Sequence, residues 1–447
     1  MNLPPALTWL QLFPRGIGVS CASGMPPWLY DMLARREGVA TPPRVLAAWN
    51  KPWHELLVDL PHWQGVAAIN CPDATTKRLE AAGFTYARRF AIVPSLEQPR
   101  WFISLDSAKA AASSFSIYTP ARRSAHLKKK LATIAARLRL PIWYRDSIIV
   151  ASRTPPPIEN MLAELFPGTK LRLGLSAGAP APAINRKASA AVMATDGEVL
   201  GFVKMAGTAV SRRIMEHEAE ILPALADRGA LEAATPRLLY AGEVDGRYLT
   251  VQAPLPGKPA PAFMTPAHQQ FLARLRCGPS KSAAATRMIA ALAQHIADLP
   301  APQPQLAETL DELMPTLEQM SVTSTIVHGD FAPWNLRIRR GEISAFDWEY
   351  GELDGLPLVD EAHFTLQRGF QMENWTPAQA RQCLADIAAA QPLGLEPQQV
   401  GAIHAVYLLD QIVRLLGEGY DAAHDMVAWY WQLLDRICAP KREAVLA

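Results

Sequence analysis

Apolar positions over the first 170 residues come in short runs broken by Pro, Gly and charged residues. Residues 65–70 (GVAAIN) and 90–94 (FAIVP) have strand length and flank a helical pattern at 75–82. Runs at 101–105, 114–118 and 148–151 predict three more strands. Arg122 and Arg123 precede a helical period over 124–138. It sets His126, Lys128, Lys129, Lys130, Arg137 and Arg139 against Leu127, Leu131, Ile134 and Leu138 on the other side. Residues 1–63, rich in Trp (Trp9, Trp28, Trp49, Trp53, Trp63) and Pro, show only short helical patterns such as 28–36, and read as an irregular packed lead-in. The RTPPP run at 153–157 is a stiff break, followed by a helix over 158–166. Alternation at 171–175, 189–194 and 199–205 predicts three antiparallel strands, with Asp196-Gly197 as a hairpin turn. A helix (211–225) and a strand (247–253) follow. Beyond PLPG at 254–257 the period is mainly helical: 269–276, 283–299, 305–320, 377–391, 397–417 and 422–438.

The class is therefore α+β. The chain divides into the lead-in (1–63), a small α+β domain (64–165), an antiparallel β unit (166–256) and a mainly helical unit (257–447).

Between helices lies STIVHGDFAPWNLRIRRGEISAFDWE, residues 324–349. A buried strand end (324–327) turns out at His328-Gly329-Asp330. Asn335 opens a second alternation through Leu336 and Ile338, Arg340-Gly341 supplies a turn, and 342–348 runs back. A hairpin about that turn brings Asn335 opposite Phe346 or Asp347, where directly paired residues lie about 4.5–5.5 Å apart. Asp330, Asn335 and Asp347 then surround one small volume. Two carboxylates and a carboxamide are hard oxygen ligands suited to Mg²⁺ that keeps waters and phosphate oxygens.

His328, Asp330 and Asn335 match H-x-D-x-x-x-x-N of the protein-kinase-like phosphotransferases, and Asp347-Trp348-Glu349 matches their following metal-binding motif. HGDFAPWN followed by DWE resembles the aminoglycoside phosphotransferase and choline kinase branch more than the protein kinases, which carry H-R-D and D-F-G there. The resemblance spans about 170–440. It implies a two-lobed protein-kinase-like fold, with the small antiparallel lobe before the larger helical one and the 64–165 domain separate.

By this resemblance Gly174 and Gly178 fall in a first loop that covers phosphates, although SAGAPAPA is not G-x-G-x-x-G. Lys204 contacts the α- and β-phosphates, paired with Glu218, for which Glu216 and Glu220 compete. Backbone near Gln252 and Ala253 meets the adenine edge. Asp360 steadies the catalytic loop. The last helices wall an acceptor pocket that Asp410, His404 and Tyr407 are placed to face. Asp330 orients the acceptor hydroxyl and accepts its proton, His328 shapes the loop, and Asn335 and Asp347 hold Mg²⁺. The implied reaction is transfer of the γ-phosphoryl group of ATP to a hydroxyl of a small molecule or a sugar or glycan. A protein Ser/Thr acceptor, or a non-catalytic kinase-like binding module, is the alternative.

Of the 447 residues 49% are hydrophobic and 19% charged, as in soluble globular chains. No stretch approaches the ~20 apolar residues of a transmembrane helix. A basic n-region is missing at the N-terminus, and five scattered cysteines without C-x-x-C spacing fit a reducing cytoplasm. The net charge of +2 conceals 20 Lys and Arg against 11 Asp and Glu over 1–165, and 24 against 31 beyond. A basic N-terminal region suggests an anionic or membrane-surface partner. Without zinc spacing or aromatic stacking motifs, nucleic acid is not expected.

Overall fold

The computed structural model describes residues 4–34, 44–117, 123–140, 143–178, 184–229 and 231–446. Eleven strands form one sheet: β1 (Val19–Cys21), β2 (Val45–Trp49), β3 (Gly65–Ile69), β4 (Tyr86–Val93), β5 (Trp101–Ser104), β6 (Asp146–Ser152), β7 (Leu171–Ser176), β8 (Lys187–Ala194), β9 (Val199–Ala206), β10 (Leu238–Val244) and β11 (Arg247–Gln252). Their order is β1-β2-β3-β6-β4-β5-β7-β8-β9-β11-β10. β1, β2 and β3 run parallel, and the other pairings are antiparallel.

This sheet does not break at residue 63 or 165. Trp101 and Phe102 of β5 pair with Ser176 and Leu175 of β7. One buried cluster joins Leu7, Trp9 and Phe13 to Val45, Phe90, Leu173, Val203 and Val251. The region read as an irregular lead-in contributes β1 and β2. Its first turn straps the sheet, because Arg247 Nη2 donates to Phe13 O (3.0 Å) and Nη1 to Gln11 O (3.3 Å). With the strands of both regions in one sheet, the expected separate N-terminal domain is not confirmed. Pro-rich breaks between the elements hid the pairing, which is set by the edges of β5 and β7 rather than by chain distance.

Helices α1 (Pro27–Ala34), α2 (Trp53–Asp59), α3 (Thr76–Ala81), α4 (Ala108–Ser114), α5 (Arg123–Arg137), α6 (Pro157–Leu165) and α7 (Ala209–Ala226) accompany the sheet. The strand expected at 114–118 is instead the end of α4 and a 3₁₀ turn, Phe115–Ile117; Tyr118 lies outside the described residues, as do Arg122 and residues 35–36 of the helix expected at 28–36. Ser107 accepts from Ala110 N (3.0 Å) as N-cap, and the alanines behind it favour helix. Thr208 caps α7 in the same way, accepting from Ser211 N at 3.0 Å.

The second half is mainly helical, as its period predicts: α8 (Pro266–Leu275), α9 (Arg287–Ala297), α10 (Pro304–Gln319), α11 (Val359–Arg368), α12 (Pro377–Ala390), α13 (Pro397–Gly417) and α14 (Asp425–Leu446). By length and composition α13 matches a membrane span, yet most of it is buried inside the helical core. Short strands punctuate this half: β12 (Lys258–Pro259), β13 (Ser280–Ser282), β14 (Ser321–Thr323), β15 (Thr325–Val327), β16 (Leu336–Arg339), β17 (Glu342–Ala345) and β18 (Glu352–Gly355). A third cluster, holding Ile221, Leu222, Phe271, Phe331 and Trp348, packs α7 against the hairpin segment. All five cysteines are free thiols.

Candidate active site

β15 delivers the chain to His328 and β16 pairs with β17 about Arg340-Gly341, Leu336 opposite Ala345. Phe346 N donates to Asn335 O at 3.0 Å, so the hairpin brings the two motifs together in the expected register. Arg340 and Gly341 both take left-handed φ, as the tight turn requires. Gly329 is also left-handed (φ 76°), and a Cβ there would lie 2.2 Å from Tyr350 O, so only glycine fits between Tyr350 and the loop.

Two buried groups shape this loop from behind. Asp360, at the start of α11, accepts from His328 N (2.7 Å) and Gly329 N (3.1 Å). Burial pushes its carboxyl up to about 7 in spite of those donors. His328 Nδ1 accepts from Asp330 N at 3.2 Å, which leaves the proton on Nε2 to donate to Phe346 O at 3.1 Å. Burial brings its pKa down to about 4, so the ring is a neutral brace between the loop and the returning strand.

Asp330 is gripped through both carboxylate oxygens. Asn335 Nδ2 donates to Oδ2 at 2.8 Å and to the Asp330 carbonyl at 3.0 Å. His363 Nε2 donates to Oδ1 at 2.9 Å, and Tyr407 Oη reaches His363 Nδ1 at 3.3 Å. Arg414 Nη1 donates to Gly329 O (2.9 Å) and lies over the Tyr350 ring at 4.2 Å. The Asp330 side chain is still about one-fifth exposed, and so can meet a ligand.

Asp347 follows Phe346 with φ 72°, a left-handed conformation strained for a side chain of this size. Its Oδ1 accepts from Lys204 Nζ at 2.6 Å. Lys204 also donates to Glu218 Oε1 (2.7 Å) and Oε2 (2.6 Å). Glu218 is fully buried and takes Trp348 N at 3.1 Å, tying α7, β9 and the hairpin to one carboxylate. Glu216 instead pairs with Arg212 on the surface (2.8 Å), and Glu220 is exposed. Burial opposes charge on both Lys204 and Asp347, but each holds the other ionised: the lysine is raised above its ordinary range and the aspartate well below its own. Lys187, on β8, pairs with Glu349, and Lys204 lies 3.9 Å from the same carboxylate.

Gly174 does not lie in a loop. It pairs with Ala191 inside β7, and a Cβ there would lie 2.6 Å from Ser114 Oγ, so this glycine makes room for α4. Gly178 does begin the following loop in left-handed conformation, and a Cβ there would meet Lys187 O at 2.1 Å; residues 179–183 of SAGAPAPA lie outside the described residues. Gln252 ends β11 within its ladders, and Ala253 N is already bonded to Arg237 O (2.9 Å), so that amide is not open to a ligand. Of the residues expected to face an acceptor, Tyr407 is fully buried behind His363 and His404 is buried in the helical core; Asp410 is half-buried.

His363, Lys187 and Arg414 were not anticipated. His363 had a signal: Asp360 and His363 stand one turn apart, and a helix read over 359–368 would have aimed both at the His328–Asp330 loop. Nothing local marks Lys187 or Arg414, whose roles arise from strand pairing and from a helix distant in sequence.

Residues 202–398 match the family model described as "Phosphotransferase enzyme family". No curated protein matches the chain. Among solved structures, a thermostable mutant of aminoglycoside phosphotransferase APH(4)-Ia shares 19% identity at a TM-score of 0.44, covering 63% of this chain and 99% of that one. A putative fructosamine-3-kinase from Haemophilus somnus shares 16% at 0.41, covering 63% and 96%. A choline/ethanolamine kinase family protein from Mesorhizobium loti shares 13% at 0.36, covering 63% and 94%. The His328–Asp330 loop, the hairpin and the Lys204–Glu218 pair all fall within the segment that matches the phosphotransferase enzyme family.

Proposed function

We propose that the protein transfers the γ-phosphoryl group of ATP to a hydroxyl of a small-molecule or sugar or glycan acceptor, in a cleft between a small β lobe and a larger helical lobe of kinase-like arrangement. The observation that carries this reading is the Lys204 ammonium held by both Glu218 and Asp347 at 2.6–2.7 Å, beside an Asp330 gripped by Asn335 and His363. Transfer of this kind asks for little covalent help, so positioning and charge neutralisation supply most of the acceleration.

Asp330 orients the acceptor hydroxyl and receives its proton as the O–P bond forms. The hydrogen bonds from Asn335 and His363 fix the carboxylate plane, and each oxygen keeps a lone pair for the hydroxyl. Lys204 steadies the α- and β-phosphates, released in part from Asp347 when phosphate oxygens arrive. Asn335 has spent its amide nitrogen on Asp330, which leaves its carbonyl oxygen, with the ionised Asp347, as a pair of hard donors suited to Mg²⁺. When bound, Mg²⁺ supplies charge neutralisation at the phosphate oxygens.

The test is ATP turnover by the purified protein with fractionated cell extract as the source of acceptor, beside Asp330→Ala and Asp347→Ala. Turnover that requires Mg²⁺, rises with one fraction and falls about a hundred- to a thousandfold in both variants is expected. Undiminished turnover in Asp330→Ala removes the assigned base.

A further inference from the structure

Helix α5 is packed the wrong way round for a core helix. Ala135 and Ala136 are buried and Ala132 is half-buried, so the helix seats its small residues against the sheet and α4. Leu127, Leu131, Ile134 and Leu138 recur at i, i+4, i+7 and i+11, which is one stripe of a helix. They are 60%, 58%, 44% and 64% exposed. Four large aliphatic side chains in one line are left largely on the outside, and together they form the kind of patch that marks an interaction site.

The charges around the stripe say what it meets. His126, Lys128, Lys130, Arg137 and Arg139 are all exposed, and no Asp or Glu occurs between residues 123 and 140. On a helical wheel, Lys130 and Arg137 flank the stripe on one side and Lys128 on the other. The inner Lys129 is half-buried, and burial together with the nearby charge of Arg337 brings it down to about 8.

We propose that α5 docks the protein on an anionic lipid surface, its aliphatic stripe entering the headgroup boundary and its lysines and arginines meeting lipid phosphates. A second copy of the chain is disfavoured because two such stripes would bring like charges together. A clamp that engulfs a whole amphipathic helix is disfavoured because the alanine side of α5 is already taken by the fold. A planar anionic surface asks only for the one side that is free. This inference is independent of the phosphotransferase reading.

Co-sedimentation of the full chain with phosphatidylcholine vesicles, with and without one-quarter phosphatidylglycerol, tests it. The expected result is binding to the anionic vesicles only, weakened in 0.5 M salt. Lys128→Glu/Lys130→Glu should lower the partition coefficient at least about twenty-fivefold, from about fivefold for each lysine lost near the surface. Leu131→Asp/Ile134→Asp should abolish binding; both positions are exposed, so its thermal midpoint should match wild type, and the lysine variant serves should it not fold. No pelleting, equal pelleting with neutral vesicles, or binding that both variants retain overturns the proposal. A concentration-dependent dimer lost in Leu131→Asp/Ile134→Asp overturns it in favour of a second copy.

Discussion

Glu218 shows how a residue becomes a centre of organisation. Three glutamates stand on one helix within five positions, and spacing alone does not separate them. Burial does: Glu218 is fully buried between Lys204 and the Trp348 amide, whereas Glu216 holds an exposed arginine. Removing one partner of a buried pair leaves an uncompensated charge, at a cost of about 3–5 kcal/mol, while an exposed pair contributes about 0–1 kcal/mol. Glu218→Gln should therefore lower the thermal midpoint sharply and reduce kcat/KM for ATP by about ten- to a hundredfold. Glu216→Gln and Glu220→Gln should stay within about twofold. Parallel melts and ATP titrations of the three variants check this, and equal effects in all three would remove the special place given to Glu218. His363 makes the complementary point: its chemistry was visible in the sequence only to a reader who extended the helix of Asp360 by one turn.

At the scale of elements, the helical half and the β16–β17 hairpin were legible because both rest on local signals: a 3.6-residue period, and a left-handed Arg-Gly turn between alternating strands. The joint between the N-terminal strands and the rest was not, because it rests on contacts between residues far apart in sequence: the short pairing of β5 with β7, a shared buried cluster, the Arg247 strap, and a missing side chain. Gly174 admits Ser114 of α4, with Ser114 Oγ and Cβ only 2.6 and 2.7 Å from where its own Cβ would stand. A glycine in such a position reads as a flexible loop residue in sequence and as a packing gap in structure. Overpacking of this kind costs about 1–3 kcal/mol. Gly174→Ala should lower stability by that amount, and Ser114→Gly in the same chain should recover part of it. Since one sheet and one buried cluster hold described residues from Leu7 to Gln252 together, calorimetry of Gly174→Ala should show a single transition for all eleven strands moving down together. Two separate transitions for the N-terminal and later strands, with only one shifted, would show that the joint does not couple them.

For the molecule as a whole, buried histidines set the response to acid. Burial holds His268, His328 and His404 at about 4, against an ordinary value of about 6.5. Between those limits each binds a proton in the unfolded chain and none in the folded one, so each contributes stability that is present above about pH 6.5 and lost as the pH falls toward 4. Asp360 acts in the opposite sense: raised to about 7, it keeps a proton in the folded state that the unfolded carboxyl releases above about pH 4, and it contributes stability that is lost as the pH rises. For these four groups three protons against one leave a net of two, or about 3 kcal/mol per pH unit across the window, with the lowered His363 adding to it and the raised Glu361 and Asp106 offsetting it. That slope is large beside a total stability of about 5–15 kcal/mol, so the chain should unfold cooperatively on acidification well above the pKa of an ordinary carboxyl. Urea titrations between pH 4 and 8 should show the midpoint climbing to near pH 6.5. His404→Gln removes one of the three protons and, since His404 lies in the helical core away from Asp330, should flatten the climb by about half while sparing turnover. A wild-type midpoint that does not change between pH 5 and 6.5 would mean that the histidines are not the groups that take up the protons.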